Sequence, residues 1–407
     1  MKHEIKKVGG TECIFVPMEE ANSTTVQILA KAGSIYETRE TNGISHFLEH
    51  LFFKGGKKYK NPQEVAEAVD TFGGEFNAFT GDEYAGYYVK SSPEFVLKSI
   101  DVLGDMMINA YFPEEEMQRE KGVVIQEIMM YQDNPAALVM DKWKEFYFGD
   151  NSYGRPTLGP KENVESFKRE DLIKHKEGLY TKDNLVIIIA GKIDNQKDIE
   201  KKLESIFKDL PKNKKIEQPK YEDILPNKNE DFYKKGTEQN HIVISARGFD
   251  GNDEKRFAAN VFSTILGGNM SSRLFQNIRE KQGLCYYIAA KHYTSPDNGV
   301  FLIRAGLEKG RFDFGVKKIY EELEKISNGD ITQEEFKKAI GYNIGQLQMG
   351  IESSDEMANF VGSQYLLYGK IRTIDEVLEI YKNMKIEDVI NIAKKFEEEN
   401  LYKYWIE

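Results

Sequence analysis

The two halves of this chain echo each other, and that repeat limits the folds open to it. The stretch 26–33, Val-Gln-Ile-Leu-Ala-Lys-Ala-Gly, is matched at 242–248 by Ile-Val-Ile-Ser-Ala-Arg-Gly. Phe-Pro-Glu-Glu-Glu-Met at 112–117 is matched by Ile-Thr-Gln-Glu-Glu-Phe at 331–336. An internal period of roughly 200 residues means one supersecondary unit used twice. At 407 residues the chain is also too long for one ordinary core. Between the halves, residues 211–229 place Pro211, Pro219 and Pro226 among Lys, Asn, Glu and Gln with few apolar side chains. That is linker composition. The expected division is therefore a first domain at 1–210, a linker at 211–229 and a second domain at 230–407.

Local patterning gives each half both strands and helices. Residues 11–18, 23–31, 75–80, 84–89 and 185–190 read as strands, the last buried throughout. Helices are expected at 62–73, opened by Asn61 and Pro62 and closed by Gly73-Gly74, then at 94–109 and 113–132. In the second half the spacing predicts a helix over 253–265.

The halves differ where chemistry is concerned. His46-Phe47-Leu48-Glu49-His50 reads H-x-x-E-H, and the second half has no such motif. Two histidines four apart leave one helix face about one turn apart, so both imidazoles reach one metal. Glu49 can point toward that metal without ligating it. This is the inverted form of the H-E-x-x-H zinc protease motif. Its chemistry would be a metal-polarised water, deprotonated by Glu49, attacking a peptide carbonyl. With six histidines in the chain, chance yields the pattern in about 1% of such sequences. The plain alternative is an amphipathic helix with two surface histidines, and a third ligand is needed to decide.

Catalytic zinc takes three protein ligands and keeps one position open. The segment 118–128 offers two acids, Glu120 and Glu127, seven residues apart and so on one helix face. The residues alone do not choose between them. His3, His175, His241 and His292 have no partner at metal spacing, and surface or strand roles are expected of them.

Other function classes are disfavoured. Net charge is −11, with Lys and Glu interspersed, which argues against an electrostatic nucleic-acid binder. The Gly267-Gly268 turn has neither the G-x-G-x-x-G spacing nor a phosphate-binding lysine. No apolar run of about 18 residues predicts a membrane span, and the start carries no signal-peptide pattern. Two cysteines, Cys13 and Cys285, make no disulfide framework, so a reducing, cytoplasmic setting is expected.

The string 46–55, then Asn77-Ala78-Phe79-Thr80, then Arg119-Glu120 and Glu127 closely resembles the inverted-motif zinc peptidases. That family includes pitrilysin, insulysin and the mitochondrial processing peptidase. The resemblance runs through the second half, where 266–275 is similar to a Gly-rich turn and 279–286 to the signature bearing Arg279 and Tyr286. It implies an α+β fold of two homologous α/β-sandwich units, each a mostly antiparallel sheet with helices packed on it. It makes Glu127, 77 positions after His50, the third ligand beside His46 and His50, and Glu120 a carboxylate that orients a ligand. One zinc ion per chain follows. Asn77, Ala78 and Phe79 would bind substrate as an added strand, and Arg279 with Tyr286 would stabilise the oxyanion. The implied activity is cleavage of peptides or unfolded segments inside a closed chamber. With two units on one chain, the implied assembly is a homodimer with Arg279 and Tyr286 acting in trans. A heterodimer with a metal-free relative, or a non-catalytic peptide-binding scaffold, is the alternative.

Overall fold

The computed structural model describes residues 1–212, 216–222 and 224–407. Positions 213–215 and 223, inside the expected linker, lie outside the described residues. The chain forms two compact units, each with its own hydrophobic cluster.

The first unit is built on a sheet of six strands: β1 (Glu4–Val8), β2 (Thr11–Pro17), β3 (Thr24–Ala30), β4 (Glu75–Thr80), β5 (Ala85–Ser91) and β6 (Leu185–Gly191). Their order is β1-β2-β6-β3-β5-β4. Every neighbouring pair is antiparallel except β2 with β6. The second unit has five strands: β7 (Glu230–Tyr233), β8 (Gln239–Arg247), β9 (Cys285–Thr294), β10 (Gly299–Glu308) and β11 (Tyr402–Ile406). Their order is β7-β11-β8-β10-β9, again with one parallel pair, β11 with β7. Without β1, the two orders are the same walk along the chain. The repeat read at 26–33 and 242–248 falls on β3 and β8, which occupy equivalent places.

The units are not contiguous in sequence. The first takes residues 1–129, 155–219 and 349–372, and the second takes 130–154, 220–348 and 373–407. Each sheet is thus covered on one face by a helix from the other half of the chain. Helix Ser354–Tyr368 packs on β3 and β6, and helix Pro135–Phe148 packs on β8 and β11. Gly362 permits the first contact, because a Cβ there would stand 2.6 Å from Ile188 Cδ1. Ser354 Oγ also lies 2.8 Å from Thr25 Oγ1 on β3. In the second unit Trp143 Nε1 donates to Ser245 Oγ at 2.9 Å. These helices explain the unbroken apolar run of β6. Ile187 and Ile189 face the core cluster, Ile188 faces the 354–368 helix, and all seven residues are buried.

The motif helix spans Ile44–Phe52. Ile44, Phe47, Leu48, Leu51 and Phe52 recur at i, i+3, i+4, i+7 and i+8, and all are buried in the first core. His46, Glu49 and His50 are left on the opposite face. Gly43, at φ +96°, begins the helix and offers no side chain to cap it. Glu37 supplies the cap from outside. Its carboxylate accepts from Gly43 N at 2.8 Å, Ser45 N at 2.8 Å and Asn42 Nδ2 at 2.9 Å. Burial pushes its pKa up to about 7 against the pull of those donors. Glu37→Ala leaves two helix N–H groups unsatisfied. It is expected to cost about 2 kcal/mol, read as a lower urea midpoint with an unchanged m-value.

Candidate metal centre

The two histidines of the motif helix meet a second helix, Glu114–Asp133, which carries both Glu120 and Glu127. Three side-chain atoms converge there. His46 Nε2 and His50 Nε2 are 3.3 Å apart, and Glu127 Oε2 lies 3.6 Å from the first and 3.5 Å from the second. A tetrahedral zinc ion with arms of about 2.1 Å has ligand atoms roughly 3.4 Å from one another. The three atoms are therefore already at the spacing such an ion requires. The donor set, two imidazoles and one carboxylate, also suits zinc. Among the described residues, these three form a group that could hold a metal ion.

Glu120 takes a different place. Its Oε1 lies 2.8 Å from His50 Nδ1, the ring nitrogen turned away from the cluster, and its Oε2 lies 2.7 Å from Lys54 Nζ. Lys121, the next residue on this helix, is buried and donates to the carbonyls of Glu165 and Phe167. His46 has no such partner. Its Nδ1 is buried without a hydrogen-bonding group among the described residues.

Glu49 faces the same region. Thr80 Oγ1, at the end of β4, donates to its Oε2 at 2.5 Å. Burial raises the Glu49 pKa, with the Thr80 hydrogen bond and the charge of His50 opposing. The two histidines are shifted in opposite directions, His46 chiefly by burial and His50 by its carboxylate partners. Burial first, then His50, lowers His46 to about 4. Burial also pulls His50 down, but hydrogen bonds to Glu120 and Glu127 outweigh it and raise it to about 9. Glu120 is held below the usual carboxylate range by His50 and Lys54, which together outweigh its burial. The hydrogen bond from His50, reinforced by the charge of His46, likewise lowers Glu127 against the effect of burial.

Asn77, Ala78 and Phe79 lie on β4, the edge strand of the first sheet, with Asn77 exposed. Asn77 Oδ1 accepts from Ala78 N at 2.9 Å. Arg279 and Tyr286 belong to the second unit. Arg279 lies in a π-helical turn, Phe275–Glu280, and Tyr286 is on β9, the equivalent of β4. Their side chains are neighbours, with the guanidinium 5.7 Å from the Tyr286 ring centre, and Tyr286 is 76% exposed.

Some features of the site escape sequence reading. Lys54 and Thr80 stand inside recognisable strings, yet no spacing rule pairs Lys54 with Glu120 or Thr80 with Glu49. His175, expected at a surface or on a strand, is on helix Arg169–Leu179, half-buried, with Nε2 3.0 Å from Ser45 Oγ beside the motif. His241 and His292 do lie on strands, β8 and β9.

Comparison with known proteins agrees with this architecture. Residues 15–161 match the family model described as Insulinase (Peptidase family M16), and 166–341 match the one described as Peptidase M16 inactive domain. A Bacillus subtilis protein described as an uncharacterized zinc protease, YmxG, is 35% identical over 388 residues, covering 95% of this chain and 93% of that one. A zinc protease of Rickettsia bellii, also described as uncharacterized, is 34% identical and covers 96% and 93%. The crystal structure of a Helicobacter pylori protease superposes with a TM-score of 0.92 at 23% identity, over 100% of this chain and 99% of that one. The last likeness bears on the fold, and the matched domains and the 35% identity settle descent: the chain belongs to peptidase family M16, the insulinase family, as a two-domain zinc metallopeptidase.

Proposed function

We propose that this enzyme is an endopeptidase that cleaves peptides and unfolded segments, with His46, His50 and Glu127 holding one zinc ion per chain. The observation that carries this reading is the convergence of three ligand atoms at tetrahedral spacing beside a half-buried carboxylate. When bound, zinc supplies a Lewis acid that polarises water and the scissile carbonyl. Glu49 does the proton work. Thr80 ties down one of its oxygens, leaving the other to accept the proton of the attacking water and deliver it to the leaving amine. Glu120 orients His50 through Nδ1.

An extended substrate fits beside β4, because an edge strand has backbone groups free to pair on its outer side. Asn77, Ala78 and Phe79 are the residues it would meet. Such pairing selects extended chains over folded ones. Arg279 and Tyr286, a cation and a phenol donor held side by side, suit a developing oxyanion. We assign them to a site completed by a second copy, in a homodimer that encloses a chamber. A heterodimer with a metal-free relative is the other arrangement. Both cysteines are free thiols, which suits the cytoplasm.

Two measurements test this reading. The purified protein is expected to carry one zinc per chain and to cleave unfolded peptides in a chelator-sensitive, zinc-restored manner. Mixing inactive Glu49→Gln with inactive Tyr286→Phe under subunit exchange is expected to recover part of the activity, since one hybrid site has both groups intact. A wild type without metal sinks the peptidase mechanism. No recovery in a dimer shown to exchange sinks the trans arrangement.

A further inference from the structure

Three carboxylates gather at the candidate metal centre: Glu49, Glu120 and Glu127. Among the described residues, Lys54 is the one lysine or arginine ion-paired to any of them. A divalent ion and Lys54 together balance the three negative charges, leaving the histidines neutral as metal ligation requires.

The placement of Lys54 follows from the motif helix. The helix ends at Phe52, and Lys54 N closes the last turn on Leu51 O at 3.1 Å. Lys54 thus lies four residues beyond His50, on the side facing the 114–133 helix. Its ammonium holds Glu120 Oε2 at 2.7 Å while Glu120 Oε1 holds His50 Nδ1 at 2.8 Å. Both ends of the pair are shielded, with side-chain exposures of 20% for Lys54 and 7% for Glu120. A carboxylate gripped at one oxygen can still turn about its last torsion. Gripped at both, it presents a fixed acceptor to the imidazole. Among the described residues His46 Nδ1 has no equivalent acceptor, whereas His50 Nδ1 has Glu120.

We propose that Lys54 is a positioning residue of the metal centre: it anchors the second oxygen of Glu120, so that the first accepts a hydrogen bond from the Nδ1–H of His50 and leaves the Nε2 lone pair directed at the metal. The proposal rests on His46, His50 and Glu127 being the zinc ligands. It goes further by giving a role to a side chain that touches neither metal nor substrate.

The test is a cycle of Lys54→Met, Lys54→Arg, Glu120→Gln and the double variant Lys54→Met/Glu120→Gln, with zinc affinity measured by competition against a chelator of known strength. Partners of ligating histidines are worth about 10–100-fold in metal affinity. Lys54→Met is expected to weaken zinc binding about tenfold, and Lys54→Arg to restore most of it. On the Glu120→Gln background Lys54→Met is expected to change zinc affinity by less than about twofold, because Lys54 acts through Glu120. At saturating zinc, KM for a peptide is expected to be unchanged. Unaltered or tighter zinc binding in Lys54→Met overturns the proposal, as does a full further loss on the Glu120→Gln background. Should Lys54→Met loosen the metal-free fold, the comparison within that background decides alone. A wild type that binds no zinc defeats the ligand assignment instead. Normal zinc binding by both wild type and Lys54→Met defeats only the role of Lys54.

Discussion

Glu49→Gln is expected to lower kcat/KM for peptide cleavage by about 1000-fold, close to 4 kcal/mol of transition-state stabilisation, while zinc content stays at one per chain. The substitution keeps the shape of the side chain, and its carbonyl oxygen can still accept from Thr80 Oγ1. What it loses is the ability to take a proton. Glu49 is not among the three atoms at metal spacing, so the variant separates proton transfer from metal binding. Steady-state kinetics on an unfolded peptide, alongside a metal determination on the same sample, provide the measurement. Wild-type activity in this variant would remove Glu49 from the chemistry. Loss of zinc along with activity would move it into the ligand set.

The second large effect is expected at the ligands. Glu127→Ala leaves two imidazoles and no carboxylate at the cluster, and should weaken zinc binding by well over about 100-fold, beyond what an orienting partner contributes. The fold should survive, because Glu127 is half-exposed while its helix is anchored by buried Met117, Val124 and Ile128. Thermal unfolding distinguishes the two effects. Zinc at about 100 times its dissociation constant stabilises a folded chain by about 2.7 kcal/mol. Added zinc should therefore raise the wild-type midpoint and leave that of Glu127→Ala unmoved. Equal zinc-induced shifts in both proteins would show that Glu127 is not a ligand.

Several features of this chain were legible because they repeat at fixed periods. The strand at 185–190 and the helix beginning at Glu114 follow from runs of apolar residues and from a proline at the helix start. The repeat of 26–33 at 242–248 marked β3 and β8, and the matching strand orders bear out the duplication. Asn61 does cap its helix, its side chain accepting from Glu64 N, although that helix ends at Asp70 and the turn beyond it carries Gly73 at φ +63°. Helices 135–148 and 354–368 were a different matter. An amphipathic pattern reports that a helix has an apolar face, but not which sheet that face covers. Each covers the sheet of the other half of the chain, a choice made by long-range packing at Trp143 and Gly362.

The candidate site divides the same way. The sequence alone determined that His46 and His50 share a helix face with Glu49 beside them, because helical geometry fixes what four residues of separation mean. It also placed Glu120 and Glu127 on one face of a second helix, and by the same periodicity could not choose between them. The family resemblance assigned the ligand role to Glu127, and the tertiary structure supplies the physical reason for a difference between the two acids, since the crossing of the helices decides which carboxylate meets the Nε2 atoms and which turns to Nδ1. The same crossing brings Lys54 to Glu120, and the edge of the sheet brings Thr80 to Glu49. Periodicity is a property of one element and can be read from the chain, whereas the direction of a side chain across an interface depends on where the neighbouring element lies.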